Sequence, residues 1–469
     1  MSTLYRNLSE ELAAHIDQGV YQVGERMPGL RNLSRLRKVS MATAVAAYRT
    51  LEDAGYLEAR DRSGYYVCER RKLTLALPDQ TTPQTQPVPV KRRDVVIQML
   101  NAGNHPDIIP LGAAVPHAEL MPQAVIAKVT AVVARQQRVI SNRYTLPPGE
   151  PNLVHQIAKR LSLTGCRIRP EDIVVTTGAQ EALWLVLRSI TAPGDVVALE
   201  SPCYYGLLLI LESLGLQALE IPTHPQTGIA LDALKHALER WDIKACVMVP
   251  SFSNPLGYCM GDAEKNDLVK LLAEYAVPLV EDDIYGELPH RGERPTPAKF
   301  WDKKGNNFLC SSLSKTLSPG MRVGWIAGPV KRYEIGAEKF VLNAASSSLP
   351  QLVAAQMLES GAFDRHLKQM RATVAGSVAS TMALIEDHFP EGTHITRPQG
   401  GFVVWVELPP GFDTRQLMKR GLAQGVSIAP GSLFSSAEKY HRFMRLNCAV
   451  PQQSLETAII RLAKLLRKK

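Results

Sequence analysis

Short apolar runs at 173–176, 196–200, 218–221, 245–250, 278–282, 307–311 and 323–327 alternate with segments of helical pattern. This alternation constrains the fold more than any other feature of the chain. Strands joined through a helix run parallel, and a parallel sheet buries both of its faces under those helices. The larger part of the chain is therefore expected to be α/β, a mostly parallel sheet covered on both sides. Ligands of such sheets bind outside the carboxyl ends of the strands, so the chemistry belongs in the loops that follow these runs.

The loop after 307–311 carries Ser312-Leu-Ser314-Lys315, with Arg322 beyond a Pro-Gly turn. A lone lysine among small hydroxyl residues leaves room at its tip for a bulky group. Lysine condenses with carbonyl compounds and becomes nucleophilic when desolvation lowers its pKa. Ser312, Ser314 and Arg322 offer hydroxyl and guanidinium donors to a phosphate. An aldehyde that also carries a phosphate is pyridoxal 5'-phosphate. Other loops add to the set. Gly178-Ala179-Gln180 opens a helix, whose backbone N–H groups make an anion site. Tyr204 follows 196–200 and offers a ring for stacking on a planar group, and Asn254 sits in the turn Ser253-Asn254-Pro-Leu-Gly257. The run 278–282 closes on Glu281-Asp282-Asp283 with Tyr285 beyond. A carboxylate there can pair with a pyridinium nitrogen, and either aspartate stands in place to do so. Singly these residues read equally well as a turn, a packed ring or a solvated acid. Together, each at a strand end, they converge on one ligand.

From about residue 105 to the end the chain resembles the fold-type I, class I aminotransferases. That resemblance implies a pyridoxal phosphate site in which Gly178, Ala179, Gln180, Ser312, Ser314 and Arg322 hold the phosphate and Tyr204 stacks on the ring. It further implies Asn254 and Tyr285 on the phenolic oxygen, Asp282 on the ring nitrogen through the family's Asp-x-x-Tyr spacing, and Lys315 as the catalytic lysine. Tyr144-Thr-Leu-Pro-Pro-Gly149 resembles a stretch whose tyrosine reaches the phosphate in the neighbouring subunit, although Leu153-Val154 stands where the family has Leu-Arg. The segment from about 340 to 469 reads as a smaller α+β lobe, with strands in 400–408 and 442–449. Within it Arg445 matches the arginine that grips a substrate α-carboxylate.

The first seventy residues have another character. Leu4, Leu8, Leu12 and Ile16 recur every four positions and predict one amphipathic helix ending near Gly19. A second, short helix is expected to bury Leu30, Leu33 and Leu36 and to turn Arg31, Arg35, Arg37 and Lys38 outward. Ser40 caps a third, buried through Ala44, Val45, Tyr48 and Leu51 and stopped by Gly55. Strands at 56–60 and 65–68 flank Asp61-Arg62-Ser63-Gly64 as a hairpin. Helix, helix–turn–helix and hairpin in this order make a winged helix–turn–helix. The segment resembles the DNA-binding domain of GntR-family bacterial regulators through Gly24, Pro28, Leu30-Arg31, Val39-Ser40, Thr43, Tyr48, Gly55 and Ser63-Gly64-Tyr65. The resemblance implies contacts to double-stranded promoter DNA from Arg31, Ser40, Thr43 and the wing at Arg62. Met41 stands where such proteins usually carry an arginine, so base preference does not carry over.

Prolines at 78, 83, 87 and 89 among Thr and Gln predict an extended, semi-rigid linker over 70–93. A coil of that length would span roughly 25–30 Å and free the first domain from the second. The domains expected are thus 1–69, the linker 70–93, and 94–469. Net charge is +9, yet residues 1–72 hold twelve basic against nine acidic side chains, so local placement rather than bulk charge carries the DNA argument. Seven scattered cysteines without a C-x-x-C pair imply neither a disulfide framework nor a metal site. No apolar run reaches membrane-span length and no secretory pattern opens the chain, so a cytoplasmic protein is expected.

A GntR-type winged helix joined through a proline-rich linker to an aminotransferase-like domain resembles the MocR-type regulators. The resemblance implies a homodimeric transcription factor that binds pyridoxal phosphate and answers to an amino acid or amine. The alternative is a working aminotransferase fused to a DNA-binding module, since the residues for transamination are in place.

Overall fold

The computed structural model describes residues 2–467 apart from 61–62, 69–72, 92, 95, 98–100, 102–104 and 329–330. The chain divides into two compact units, one built on Met1–Thr74 and one on Leu75–His290 with Arg294–Lys469. In the first, α1 (Ser2–Asp17), α2 (Leu30–Leu36) and α3 (Met41–Asp53) precede an antiparallel hairpin of β1 (Leu57–Arg60) and β2 (Gly64–Val67). Leu8, Leu12, Leu33, Ala44, Tyr48, Leu51, Leu57 and Val67 close a small core. Ser40 caps α3, its hydroxyl accepting from Thr43 N at 3.1 Å. The Tyr48 hydroxyl, buried at the centre, donates to Pro28 O at 2.7 Å.

Two expected core leucines lie outside. Leu4 is 61% and Leu36 62% exposed. A four-residue step overshoots the helical turn by about 40° and a three-residue step falls short by about 60°. Over α1 and α2 those errors accumulate, which carries the terminal leucine of each series off the buried face.

The second unit holds a nine-stranded sheet. Its order is β3 (Val88–Pro89), β7 (Gln217–His224), β6 (Val196–Ser201), β9 (Ile243–Met248), β10 (Leu279–Asp282), β11 (Phe308–Ser312), β12 (Gly324–Ala327) and β5 (Ile173–Thr176), with β8 (Gly228–Ile229) paired onto β7. All seven expected strands occur, within two or three residues of their expected bounds. The pairings from β7 to β11 are parallel; β12 runs antiparallel to both of its neighbours. A second sheet of β13 (His394–Ile395), β14 (Val403–Glu407), β17 (Phe443–Asn447) and β16 (Ala429–Pro430) forms the small lobe, against the long helices Ala362–His388 and Gln452–Arg467. An earlier segment joins it: β4 (Ile109–Pro110) pairs in parallel with β15 (Val426–Ser427).

Within the linker, residues 73–91 form no helix, as their prolines require, and residues 75–90 are not loose. Ala76 O accepts from Ile395 N at 2.9 Å, and Tyr440 Oη donates to Thr81 Oγ1 at 3.2 Å. Gln84 Oε1 accepts from Glu220 N at 2.8 Å. Val88 and Pro89 pair antiparallel with Ala218 and Gln217, and Val90 is buried in the core beneath. Proline is tolerated on such an edge strand because only one side of it needs donors. Residues 75–90 of the expected semi-rigid linker are thus a strand and strap of the second unit.

Candidate cofactor site

The carboxyl ends of β5, β6, β9, β10 and β11 bring their loops around one cavity of about 260 Å³. Ala179, Gln180, Tyr204, Asn254, Asp282, Tyr285, Ser312, Ser314, Lys315 and Arg322 all line it. Lys315 leaves the end of β11 and its Nζ donates to Ala114 O at 2.7 Å. Burial, together with the charge of Arg445, pushes this amine down to about 8, against the opposing pull of Asp282. Asp282 ends β10 and is 5% exposed. Burial and the neighbouring Asp283 push its carboxyl up to about 7. Its Oδ1 takes no hydrogen bond among the described residues. A buried carboxylate oxygen left unpaired is costly, and it faces a space that a donor can fill.

Of the two aspartates, only Asp282 lines the cavity; Asp283 is bound by Arg294 in a separate buried network with Glu287, Arg160 and Arg371.

The anion end is built from two loops. Gly178 has φ of 91° and caps the helix Ala179–Ile190. The positive φ favours glycine, and a Cβ there would displace the Arg322 guanidinium from its present place. Arg322 itself holds φ of 52°, a left-handed conformation costing a side-chain-bearing residue ~1–2 kcal/mol. Three acceptors hold it there: Nη2 donates to Thr177 O at 2.7 Å, and Nη1 to Ser314 Oγ at 3.2 Å and Pro319 O at 3.3 Å. The Gln180 side chain turns to Gly206 O at 2.8 Å, a structural contact that sequence reasoning did not anticipate.

Arg445, on β17, is fully buried. It donates to Asn254 Oδ1 at 3.2 Å and to Gly112 O, and its guanidinium carbon lies 5.6 Å and 5.2 Å from the Tyr205 and Phe434 ring centres. Its Nε has no hydrogen-bond partner among the described residues. Arg445 is not itself part of the cavity lining, but its charge acts on Lys315, as do those of Arg322 and Asp282; this excess of positive charge suits an anionic ligand. The donor set, the orphaned Asp282 oxygen and the glycine-shaped anion end fit pyridoxal phosphate.

Tyr144 stands apart: it is 81% exposed and lines no part of this cavity. Of the DNA-side residues, Arg31 and Ser40 are exposed and Thr43 is half-buried, while Arg62 lies outside the described residues. Sequence reasoning missed Ala113, Ala114, Val115 and Tyr205 among the lining residues, together with the apolar Leu183, Val249, Ile284 and Pro319. Ala114 contributes a backbone carbonyl to a lysine two hundred positions later, for which no local signal exists. Among the described residues no cluster of His, Cys, Asp or Glu is placed to hold a metal ion, and no helix is long and apolar enough to cross a membrane.

Comparison with known proteins matches residues 106–462 to aminotransferase class I and II and residues 4–67 to the bacterial regulatory proteins of the gntR family. The chain is 36% identical to the uncharacterised HTH-type transcriptional regulator YjiR of Escherichia coli, over 96% of this chain and 95% of that one. It is equally similar to E. coli YdcR, another uncharacterised HTH-type transcriptional regulator, at 36% over 99% of both chains. Among solved structures, the α-aminoadipate aminotransferase LysN of Thermus thermophilus, complexed with N-(5'-phosphopyridoxyl)-L-leucine, superposes with a TM-score of 0.74 at 26% identity, covering 80% of this chain and 94% of that one.

Proposed function

Because this chain belongs to the gntR family of bacterial regulatory proteins, in a form that also carries an aminotransferase class I and II domain, we propose that it is a cytoplasmic transcription regulator that holds pyridoxal 5'-phosphate and reads an amino acid or amine through it. The observation that carries this reading is the pairing, in one cavity, of a lysine whose amine is pushed down to about 8 with an aspartate whose Oδ1 lacks a partner. Bound there, the cofactor supplies a carbonyl for amine capture and an electron-accepting ring. Lys315 presents a largely neutral amine at mildly alkaline pH. Asp282 would hold a proton on the ring nitrogen, and Asn254 and Tyr285 would bond the phenolic oxygen. Tyr204 would stack on the ring, and Ser312, Ser314, Arg322 and the Gly178–Gln180 turn would hold the phosphate. Arg445 receives the carboxylate of an amino-acid ligand.

Two features support a homodimer. Tyr144 is too exposed to serve its own protomer's site, and Phe340, Val341 and Leu342 are 55%, 82% and 48% exposed in a row on one helix end. Large apolar side chains left exposed at one helix end support an interaction surface there.

On the DNA side, Arg31 projects from the start of α2 and Ser40 and Thr43 from the start of α3. Their mutual bond at 2.8 Å leaves Ser40 and Thr43 as cap first and DNA contact second. Arg31→Ala is expected to weaken binding by about 1–3 kcal/mol for the cognate site if the guanidinium meets a base, and alike for all sequences if it meets a phosphate. Competition titrations against specific and random duplexes separate the two.

Regulation and transamination are separated by measuring, on the same preparation, DNA affinity and amino-acid turnover across a panel of amino acids. One or more ligands should change DNA affinity, with turnover below about one per second. Turnover at or above that rate without any change in DNA affinity would overturn the regulator reading in favour of a tethered aminotransferase.

A further inference from the structure

Behind the anion end of the cavity lies a buried ion pair that none of the roles above uses. Lys339, on the helix Arg332–Asn343, is 1% exposed, and its Nζ donates to Glu181 Oε1 at 2.9 Å. Asn343 Nδ2 donates to the same oxygen at 2.8 Å, and Lys339 also reaches Asn343 Oδ1 at 3.2 Å. The other Glu181 oxygen accepts from the backbone N–H of Thr177. Thr177 is in turn the residue whose carbonyl receives Arg322 Nη2 at 2.7 Å, and its hydroxyl pairs with Ser346 Oγ at 3.1 Å. Every polar atom of Thr177 is therefore engaged, and two of those engagements join Glu181 to Arg322 through a single peptide-linked residue.

A buried Glu–Lys pair is a poor way to gain stability. Desolvating both charges offsets most of their attraction, and apolar side chains of the same volume commonly serve as well or better. What such a pair does supply is a fixed direction. With one oxygen gripped by Lys339 and Asn343, the Glu181 carboxylate cannot rotate, and Thr177 is pinned between it and Arg322. The guanidinium is a rigid fork aimed by its acceptors, and Thr177 O is the shortest of its three hydrogen bonds, so a shift of Thr177 re-aims Arg322.

We propose that Glu181, locked by Lys339, is the positioning residue for the phosphate end of the cofactor site, acting through Thr177 on Arg322. The proposal rests on the pyridoxal phosphate reading and narrows it: the pair governs recognition of the phosphate and not of the ring. Glu181 touches no cofactor atom in this scheme.

The test uses apo full-length protein titrated with pyridoxal 5'-phosphate and, separately, with pyridoxal, which lacks the phosphate, and reads the visible absorbance that the bound aldehyde gains. Removing one charge alone would strand the other in the interior, so two neutral double variants are compared. Glu181→Gln with Lys339→Met keeps an oxygen acceptor for Thr177 N; Glu181→Leu with Lys339→Met does not. The leucine variant is expected to lose at least tenfold in affinity for pyridoxal phosphate and to keep its affinity for pyridoxal within twofold. The glutamine variant should stay within threefold of wild type for both. Wild-type phosphate selectivity in the leucine variant overturns the proposal, as does an equal loss for both aldehydes, which would mark the pair as merely structural. Wild-type protein that gains no visible band with either aldehyde would instead remove the cofactor reading itself, and this proposal with it.

Discussion

The Lys315→Ala protein is expected to purify folded and colourless, and no less stable than the wild-type apo form at pH 7. Wild-type protein saturated with pyridoxal phosphate should be yellow. The loss of colour follows from Lys315 being the amine in the cavity, with its tip held at Ala114 O. The stability follows from linkage. The folded-state pKa of Lys315 is pushed below its ordinary 10.5 to about 8, so unfolding takes up a proton between those values. Stability due to this group therefore rises with pH from about 8 to 10.5, and below 8 the buried amine is a net cost, on the order of 3 kcal/mol. Alanine removes that cost together with the Ala114 hydrogen bond, which contributes about 1 kcal/mol. Melting of the apo proteins at pH 7 and pH 10 checks both halves: the variant should gain at pH 7, and the gap should close toward pH 10. Retained colour in Lys315→Ala would move the carbonyl chemistry to another amine.

Arg445→Ala should keep pyridoxal phosphate and DNA binding and lose the response of DNA binding to an amino-acid effector. A buried guanidinium with an unpartnered Nε is poised for a carboxylate, and breaking a buried charge pair costs roughly 2–5 kcal/mol. Effector affinity should therefore fall by about thirty- to several-thousand-fold. A ligand shifts an equilibrium only by its differential affinity for the two states, so the transcriptional response should vanish at physiological concentrations. A second readout comes from Lys315. Arg445 is the foremost charge that holds the Lys315 amine down, so its removal should move the pH midpoint of aldehyde capture above about 8. An unchanged effector response would place the carboxylate contact elsewhere, and an unchanged midpoint would remove Arg445 as the charge acting on Lys315.

Legibility in the sequence followed the range of the interactions. The winged helix was legible because caps, turns and helical spacing are local: Ser40 and Gly55 bound α3 where their chemistry says they should. The strand ends were legible for the same reason, and ten of the expected ligand residues do line one cavity. The failures lie where a residue answers to a distant partner. Gln180 bonds Gly206 O, Ala114 serves Lys315, and β4 joins the small lobe from far upstream. Asp282 and Asp283 are adjacent in sequence; the Asp-x-x-Tyr spacing pointed to Asp282, but nothing local pointed to Arg294 as the partner of Asp283. The linker misled most directly. Proline and threonine content predicted an extended linker, but composition carries no record of an edge strand waiting at β7.

That edge strand sets where the protein can be cut. A fragment beginning at residue 94 would discard Val88–Val90 and leave the 217–218 end of β7 with unpaired backbone groups, beside the core pocket vacated by Val90. An open, flat sheet edge of this kind is a template for pairing with other chains. The Glu220 backbone N–H would lose Gln84, and the Tyr440 hydroxyl would lose Thr81. A fragment beginning at Leu75 keeps all of these contacts. The proline-rich stretch, which would ordinarily be trimmed as a hinge, covers for this domain a sheet edge that is otherwise open to irregular pairing between chains.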